Sequence, residues 1–333
     1  MKAHSKKLRL IIIIVAVIVF IAATYGVISG MSKVKASSSS EAEVFTATDY
    51  LMRMQGVLID GEYYHKKSSM KTYLIIGLDK TGPIVSSNSY RNLNNADFLL
   101  LVVVNSEKKA IRLLEIDRDT MTEVRRLDLF GREIGFVTTQ ITLSYSYGDG
   151  LKTSAENTVK TVGDLFYGLA IDYYFVTNMD GALSILEQFG EVPVLLDKDY
   201  TDIDSSYTKG RVVAMDAEEA FRFIRARRGL EEPTNQARVE RQTLYLDSLM
   251  NYIKVISISY LEMADYLDEE NGLSVTNLDL KAVSELYNAF ENYTVRNDAT
   301  LPGEEVEGAE NMEFYPDKEA LKAYCLEVLY DKY

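Results

Sequence analysis

Three apolar runs, each next to a charged residue, constrain the fold of this chain more than any other feature. They cover residues 71–78, 98–105 and 110–116. All three are short, rich in β-branched residues and bounded by polar turns, which is typical of buried strands. Asp79 follows the first run, Asp97 precedes the second and Arg118 follows the third. Because an unpaired buried charge costs several kcal/mol, each of these residues is expected to be paired, metal-bound or functional.

Helical and strand patterns alternate along the chain after these runs. Periodicity predicts helices over residues 151–166, 179–188, 216–227, 237–258 and 317–330, and a further strand over residues 191–196. The sequence NSEKK at residues 105–109 predicts the turn between the second and third runs. We therefore predict an α/β fold in which a mixed central β-sheet is flanked by helices.

The N-terminal region predicts a membrane anchor. Residues 10–31 contain no charge, and these 22 residues exceed the roughly 20 that span a bilayer as a helix. The preceding basic residues are Lys2, Lys6, Lys7 and Arg9. The positive-inside preference then places the N-terminus in the cytoplasm and the rest outside the cell membrane, in a single-pass protein. The alternative is a cleaved signal peptide, whose apolar region is usually only about 7–15 residues long.

The charge of the remaining chain restricts its ligands. Residues 32–333 contain 32 of the 36 basic residues and all 50 acidic residues, which gives a net charge of −18. Such an acidic surface excludes non-specific nucleic-acid binding, so a phosphate-bearing ligand must be held by a local arginine cluster or a divalent cation. The single cysteine, Cys325, cannot form an internal disulfide and does not distinguish between compartments.

These patterns divide the chain into five parts. We predict a cytoplasmic N-terminus (1–9), a transmembrane helix (10–31), a linker with a stalk helix (32–69), a main domain (70–258) and a C-terminal helical extension (259–333) packed on or beside it. In the linker, residues 37–40 are serines, typical of a flexible segment, and residues 41–58 have helical periodicity.

Two carboxylates are candidates for a metal site. If the strands at residues 71–78 and 98–105 pair, Asp79 and Asp97 lie at neighbouring strand ends, within reach of one hard cation. Magnesium fits this donor set best, since Mg²⁺ usually takes one or two protein carboxylates and completes its shell with water and phosphate oxygens. The alternative is that each aspartate simply caps a turn.

Arginines form the second candidate group. Arg118 lies between Asp117 and Asp119, where its planar fork of donors suits either a phosphate or an ion pair with a neighbour. The later predicted helices contribute Arg225, Arg227, Arg238, Arg241 and Gln242. The last three of these follow the i, i+3, i+4 spacing of a single helix face. The alternative is a solvated surface neutralised by nearby glutamates, namely Glu231, Glu232 and Glu240.

Six sequence blocks, in this order, resemble those of one protein family. The blocks are LIIGLD, NADFLLLVVVN, LLEIDRDT, ITLSYSYG, IDYYFVTNMDG and RFIRARRGLEEPTNQARVERQ. Their order and spacing over residues 70–250, behind an N-terminal anchor, resemble the LytR-CpsA-Psr (LCP) domain. The resemblance implies an extracytoplasmic, membrane-anchored α/β enzyme. Such an enzyme transfers a glycopolymer, such as teichoic acid or capsule, from an undecaprenyl-pyrophosphate carrier to peptidoglycan.

The resemblance also implies roles for individual residues. Asp79 and Asp97 match the acids that hold Mg²⁺ at the pyrophosphate, and Arg118 matches the arginine of the RDT block. These three are the candidate catalytic residues. The candidate phosphate-binding residues are Arg118, Arg225, Arg227, Arg238, Arg241 and Gln242. The implied partners are the polyprenyl-pyrophosphate-linked glycopolymer, peptidoglycan and the membrane, without nucleic acid.

The chain departs from the family pattern at several positions. Asn95 stands where the family usually has an arginine, so a phosphate contact is missing or is supplied by Arg91. Asp117 replaces a proline, and residues 140–142 (QIT) replace a KIN-type block. Residues 231–233 (EEP) replace a glycine-rich spacing. These changes predict an altered substrate preference or a reduced activity.

Two rival functions remain open at this point. One is a noncatalytic, membrane-tethered regulator that binds lipid-linked intermediates of the cell wall. The other is a pyrophosphatase or hydrolase that acts on the same lipid-linked substrates, with water in place of the sugar hydroxyl. Retention of both acids and the arginines favours catalysis.

Overall fold

The computed structural model describes residues 56–333 except 88–89, 129, 227–239, 242–243, 246, 250, 253–271 and 309–310. The predicted transmembrane helix, and the predicted linker and stalk helix up to residue 55, lie outside the described residues. The predicted end of the stalk helix, at residues 57–58, instead begins a strand. Among the helices that the structure describes, none is long and apolar enough to cross a membrane.

Fifteen strands and five α-helices have defined bounds within these ranges. The strands are β1 (Val57–Ile59), β2 (Glu62–Lys66), β3 (Met70–Leu78), β4 (Ala96–Asn105), β5 (Ala110–Ile116), β6 (Met121–Leu127), β7 (Glu133–Gln140), β8 (Tyr173–Asn178), β9 (Val192–Leu195), β10 (Val212–Met215), β11 (Ser274–Thr276), β12 (Thr294–Thr300), β13 (Gly303–Glu307), β14 (Met312–Pro316) and β15 (Tyr330–Lys332). The helices are α1 (Lys152–Leu165), α2 (Met179–Glu187), α3 (Ala217–Arg225), α4 (Leu280–Asn292) and α5 (Lys318–Tyr324). A 3₁₀ turn spans Ile141–Ser144 and a π-helical turn spans Cys325–Leu329.

Six strands form the central sheet, in the order β11–β8–β3–β4–β5–β12. The pairs β3–β4, β4–β5 and β8–β11 are antiparallel, whereas β3–β8 and β5–β12 are parallel. The predicted mixed α/β fold is therefore confirmed. The three predicted apolar strands correspond to β3, β4 and β5 within two residues at each end, and the NSEKK sequence joins β4 to β5 as expected.

Apolar side chains cover both faces of the sheet. On β3, Tyr73 and Ile75 pack on one face together with apolar residues of α2, α3 and α4. Leu74 and Ile76 pack on the other face together with residues of α1 and α5. Successive residues of a strand point to opposite faces, so helices on both sides require an apolar residue at almost every position of β3 and β4. The result is a sheet between two helical layers.

The C-terminal segment differs from the expected helical extension. In its described part, β11 and β12 belong to the central sheet, β13 and β14 form a hairpin, and β15 pairs with β2. The helix predicted over residues 317–330 is shorter, because α5 continues into the π-helical turn and then into β15. These strands are short and partly polar, as in the β12 sequence TVRNDAT, so they lack a clear strand pattern. A domain boundary at residue 258 would divide the central sheet.

A buried ion pair connects β12 to β5. Arg112 on β5 donates from Nε to Asp298 on β12, and the Asp298 side chain is only 6% exposed. Arg296 pairs with the same carboxylate at 2.9 Å, and Arg112 Nη1 donates to Glu327 Oε1 at 3.0 Å. Because β12 is a polar edge strand, these charge-assisted bonds add to its backbone pairing where apolar packing is limited.

Asp298→Ala is expected to lower the free energy of unfolding by about 2–3 kcal/mol, because it leaves the largely buried Arg112 guanidinium with Glu327 alone. The matched control is Asp331→Ala, which removes a carboxylate that is 57% exposed and 4.0 Å from Lys67. Its effect should stay below about 0.5 kcal/mol. Urea denaturation of both variants makes the comparison, and equal effects would contradict a structural role for the β5–β12 ion pair.

Candidate active site

Strand register brings three predicted site residues to one edge of the central sheet. β3 ends where β4 begins, and β5, which is antiparallel to β4, ends at this edge too. Asp79 follows β3, Asp97 is the second residue of β4, and Arg118 lies two residues beyond β5. The pairing of β3 with β4, on which the predicted two-carboxylate site depends, is therefore present. We refer to this end of the sheet as the site edge.

Asp97 and Arg118 form an ion pair at the site edge. Arg118 Nη1 contacts Asp97 Oδ1, and the side chains are 38% and 12% exposed, respectively. Thr142 Oγ1 donates to the same carboxylate oxygen at 3.3 Å. The sequence left open whether Arg118 pairs with a neighbouring aspartate. Its short contact is with Asp97 on the adjacent strand, while Asp119 Oδ1 lies 3.6 Å from its Nε.

Burial makes ionisation of Asp97 less favourable than in water. Loss of solvation raises the pKa of Asp97, the Arg118 guanidinium opposes this shift, and the charge of Asp79 adds to it. The raised pKa means that burial and the neighbouring acid outweigh the ion pair. An additional positive charge near the two aspartates would favour their ionised forms.

The donors at the site edge fit a hard cation with few protein ligands. Asp79 is exposed, and its charge acts on Asp97, so the two carboxylates lie near each other. Among the described residues no cluster of three or more histidine, cysteine, aspartate or glutamate side chains is arranged to hold a metal. Two carboxylates are a normal protein contribution to a Mg²⁺ site whose other ligands are water and phosphate oxygens. They do not resemble a zinc or calcium site.

A chain of polar contacts continues from Arg118 to the C-terminal hairpin. Asp119 Oδ1 accepts a hydrogen bond from Gln140 Nε2 at 2.7 Å, and the same nitrogen lies 2.7 Å from the carbonyl oxygen of Met312 on β14. The backbone N–H of Phe314 donates to the carbonyl of Asp119 at 2.9 Å. Burial raises the pKa of Asp119 as well. The β13–β14 hairpin therefore supports the segment that carries Arg118.

Arg241 has a structural contact that the sequence did not predict. It is buried, and it donates from Nε to the carbonyl of Phe223 at 3.0 Å and from Nη2 to that of Ala226 at 2.5 Å. These bonds satisfy carbonyl groups at the C-terminal end of α3. Tyr245, four residues after Arg241, is also buried, so these two residues are not part of the solvated surface considered as an alternative. A guanidinium has five N–H donors, so the two bonds do not exclude a phosphate contact.

The other predicted phosphate ligands are only partly described. α3 begins at a capping box formed by Asp216 and Glu219, and it ends at Arg225. The side chain of Arg225, together with Arg227, Arg238 and Gln242, lies outside the described residues. Glu240, which was considered as a partner of the arginines, pairs with Lys198 at 2.9 Å.

A comparison with family models identifies the family to which the chain belongs. The family model described as LytR_cpsA_psr matches residues 27–325, which is most of the chain. The chain belongs to the LytR-CpsA-Psr family. The resemblance inferred from the six sequence blocks is thereby confirmed.

Relatives of this LCP protein include named transferases. Over 258 residues it is 24% identical to a Bacillus cereus protein named polyisoprenyl-teichoic acid–peptidoglycan teichoic acid transferase TagU, covering 77% of this chain and 76% of the relative. It is 27% identical over 213 residues to the Bacillus subtilis transferase TagV, covering 62% of this chain and 51% of the relative.

Solved structures share the fold of this LCP protein. Bacillus subtilis TagU is 20% identical, with a TM-score of 0.51, and the match covers 78% of this chain and 95% of TagU. A structure of TagT bound to LI-WTA is 20% identical, with a TM-score of 0.54, and the match covers 78% of this chain and 90% of TagT. The same α/β architecture therefore occurs in several members of the family.

One position at which this LCP protein departs from the family pattern, Asp117, has a physical explanation. Asp117, in place of proline, accepts a hydrogen bond at Oδ1 from the N–H of Asp119 at 2.8 Å, and its carbonyl accepts one from Thr120 Oγ1 at 2.6 Å. These bonds form a side-chain-stabilised turn where a proline would restrict the backbone. Arg91, the suggested substitute for an arginine at Asn95, lies with its guanidinium 4.0 Å from the ring centroid of Tyr147.

Sequence reasoning missed the contacts made by residues 140–142. Thr142 donates to Asp97, Gln140 binds Asp119, and the N–H groups of Ile141 and Thr142 donate to the carbonyls of Thr120 and Arg118 at 2.7 and 3.1 Å. The QIT sequence was noted only as a departure from the family block. Its position in a family block was the one signal for a site role, because nothing in its composition indicates an active site.

Asp97→Asn should raise thermal stability at pH 7. The pKa of Asp97 is raised in the folded state, so its ionisation costs stability, and this cost develops as pH rises from the unfolded pKa, about 3.9, through the folded pKa. The stability advantage of Asp97→Asn should therefore grow as pH rises toward the folded pKa and disappear below about pH 4. Thermal unfolding from pH 3.5 to 8 measures it.

For the control variant, Asp128→Asn, the expected change in stability at pH 7 has the opposite sign. The N–H of Arg132, together with other hydrogen bonds, lowers the pKa of Asp128. Asp128→Asn should therefore reduce stability at pH 7, and its deficit should shrink as pH falls through the folded pKa. A stability profile for Asp97→Asn that runs parallel to that of Asp128→Asn would contradict the burial cost at the site edge.

Proposed function

We propose that this protein is a membrane-anchored, extracytoplasmic phosphotransferase that attaches an undecaprenyl-pyrophosphate-linked glycopolymer, of the teichoic acid or capsule type, to peptidoglycan. The observation that carries the proposal is the meeting of Asp79, Asp97 and Arg118 at one sheet edge of an LCP protein. The names of relatives as teichoic acid transferases support the reaction class. The uncharged residues 10–31 support the anchor.

The charges at the site edge suit a pyrophosphate. Arg118 is more than a third exposed and presents several N–H donors, so it can hold Asp97 and still donate to a phosphate oxygen. Arg225, Arg227, Arg238, Arg241 and Gln242 are proposed as further phosphate ligands. In a chain as acidic as this one, such local cations are needed to bind an anionic group.

Asp79 and Asp97 are the residues that would hold Mg²⁺. Their oxygen donors and the raised pKa of Asp97 support a cation between them and the substrate. When bound, Mg²⁺ would neutralise charge that develops on the pyrophosphate oxygens. Thr142 keeps one oxygen of Asp97 oriented by its hydrogen bond.

The proposed reaction is an in-line displacement at phosphorus. A sugar hydroxyl of peptidoglycan attacks the phosphate that carries the glycopolymer, a new P–O bond forms, and the bond to undecaprenyl phosphate breaks. The hydroxyl proton passes to a carboxylate at the site edge, and undecaprenyl phosphate leaves as the anion. Arg118 stabilises charge on the phosphate oxygens by preorganised electrostatics, without a covalent enzyme intermediate.

The test is transfer of a polyprenyl-pyrophosphate glycan to peptidoglycan oligomers by the purified full-length protein, with and without Mg²⁺. Asp97→Ala and Arg118→Ala should each reduce the transfer rate by about 10²–10³, as expected for loss of one well-placed electrostatic contact. Removal of Mg²⁺ by a chelator should abolish transfer. The matched control is Arg211→Ala, which removes an exposed arginine bonded to the carbonyl of Ser206 and should leave the rate unchanged.

Other product patterns would point to other functions. Glycan release without attachment to peptidoglycan would identify a hydrolase. Substrate binding by the wild type without turnover would identify a noncatalytic binding protein. Full activity of both site variants would contradict the proposed site even if transfer occurs.

A further inference from the structure

A fully exposed leucine is held rigidly beside the site edge. Leu93, in the loop between β3 and β4, is 99% exposed, whereas the asparagines on either side of it are buried. Asn92 Nδ2 lies within hydrogen-bond distance of four acceptors, and Asn92 Oδ1 accepts from the N–H of Asn94 at 2.8 Å. The buried amide thus fixes residues 92–94 in a conformation that projects the Leu93 side chain into solvent.

The tip of the β6–β7 hairpin adjoins this loop. The ring of Tyr90 lies so close to Gly131 that a Cβ added there would come within 2.7 Å of Tyr90 Cε1. Tyr90 has a φ of +46°, in the left-handed region that a tyrosine rarely adopts. Phe130, next to Gly131, is 76% exposed. The loop and the hairpin tip therefore form one continuous surface with projecting apolar groups.

Arginines surround these apolar groups. Arg91 is exposed and stacks over Tyr147, and Arg132 lies with its guanidinium 5.1 Å from the ring centroid of Phe130. Residues 82–96 and 124–137 together contain four arginines and two acids, in a chain whose net charge is −14. Arg132 also pairs with Asp128 at 2.7 Å, and the two segments carry a net charge of +2 on an otherwise acidic protein. We call Tyr90, Arg91, Leu93, Phe130 and Arg132 the loop–hairpin surface.

We propose that the loop–hairpin surface docks onto the interface of an anionic lipid bilayer. Leucine and phenylalanine side chains that project from a fixed backbone, with arginines beside them, match the apolar and charged layers of a membrane surface. Local positive charge complements anionic headgroups, which would repel the rest of the protein. The proposal rests on the membrane-side location proposed above, but not on turnover.

Docking of this surface would place the site edge against the membrane. The loop that carries Leu93 joins β3, which ends just before Asp79, to β4, whose second residue is Asp97. The base of the β6–β7 hairpin follows the segment with Arg118 and Asp119, and Phe130 lies in the turn at the other end of this hairpin. A lipid-linked phosphate could then reach the site edge without leaving the bilayer surface. Docking would also give the protein a second contact with the membrane, in addition to the predicted anchor.

The buried cysteine of this chain allows a direct test. Cys325 is inaccessible, so a cysteine introduced at the surface can be labelled selectively. An environment-sensitive fluorophore is attached to the full-length protein in three separate variants, Leu93→Cys, Phe130→Cys and Leu280→Cys. Each labelled protein is reconstituted into phosphatidylglycerol-containing vesicles with spin-labelled lipids. Leu280 is 52% exposed and is the first residue of α4. It follows β11, a strand that starts at the site edge and leads away from it.

Probes at positions 93 and 130 should be quenched by the spin-labelled lipids several-fold more strongly than the probe at position 280. In the Leu93→Cys protein, a second change, Phe130→Ser, should reduce the docked population by about tenfold or more, because burial of one aromatic side chain is lost. Arg132→Gln should reduce it by about fivefold in anionic vesicles and much less in uncharged ones. Leu280→Ser should have no effect.

Equal quenching at the three positions would overturn the proposal. Shielding of the probes that depends on protein concentration rather than lipid would identify a second copy of the chain as the partner, and shielding only by peptidoglycan would identify the polymer. Either result would contradict membrane docking. Strong lipid quenching in a wild type that shows no transfer would support docking while rejecting the proposed phosphotransferase function.

Discussion

The antiparallel register of β3, β4 and β5 is the constraint on which the candidate site depends. Both faces of β3 and β4 are buried, so a shift of one residue would turn apolar side chains toward the wrong layer. The same register brings Asp79, Asp97 and Arg118 to one edge. The positions of the charged groups are therefore set by apolar packing that lies away from the chemistry.

The Asp97 side chain is costly to ionise because it is buried, and several contacts hold it in place. Burial raises the pKa of Asp97, so ionisation of this carboxyl group lowers the stability of the folded state. The surrounding contacts hold the group in place. Thr142 binds it directly, and Arg118 is connected through Asp119 and Gln140 to the β13–β14 hairpin. This arrangement is typical of a site whose geometry is preserved at some expense of folding free energy.

Strands with a clear apolar pattern in their own sequence could be predicted. Elements whose structure depends on contacts with distant residues could not. β3, β4 and β5 are continuous apolar runs, so their bounds followed from composition. β12 is polar and is a strand because it pairs with β5 and because Asp298 binds Arg112, two facts that depend on distant residues. Likewise, the spacing of Arg241 indicated its helix face, but not its burial against the end of α3. Asp79, Asp97 and Arg118 could be selected as candidates because each charge adjoins an apolar strand, and the resemblance to the LCP family supplied their proposed roles.

The parallel pairing of β5 with β12 also affects how the chain folds. β5 ends at residue 116, whereas its partner on the outer side begins at residue 294. During synthesis, β5 remains an open edge with unpaired backbone groups until almost the whole polypeptide has emerged. Because the last strand of the sheet arrives so late, an incomplete chain exposes a template for strand pairing with other molecules, and rapid completion or protection by a chaperone would limit its aggregation.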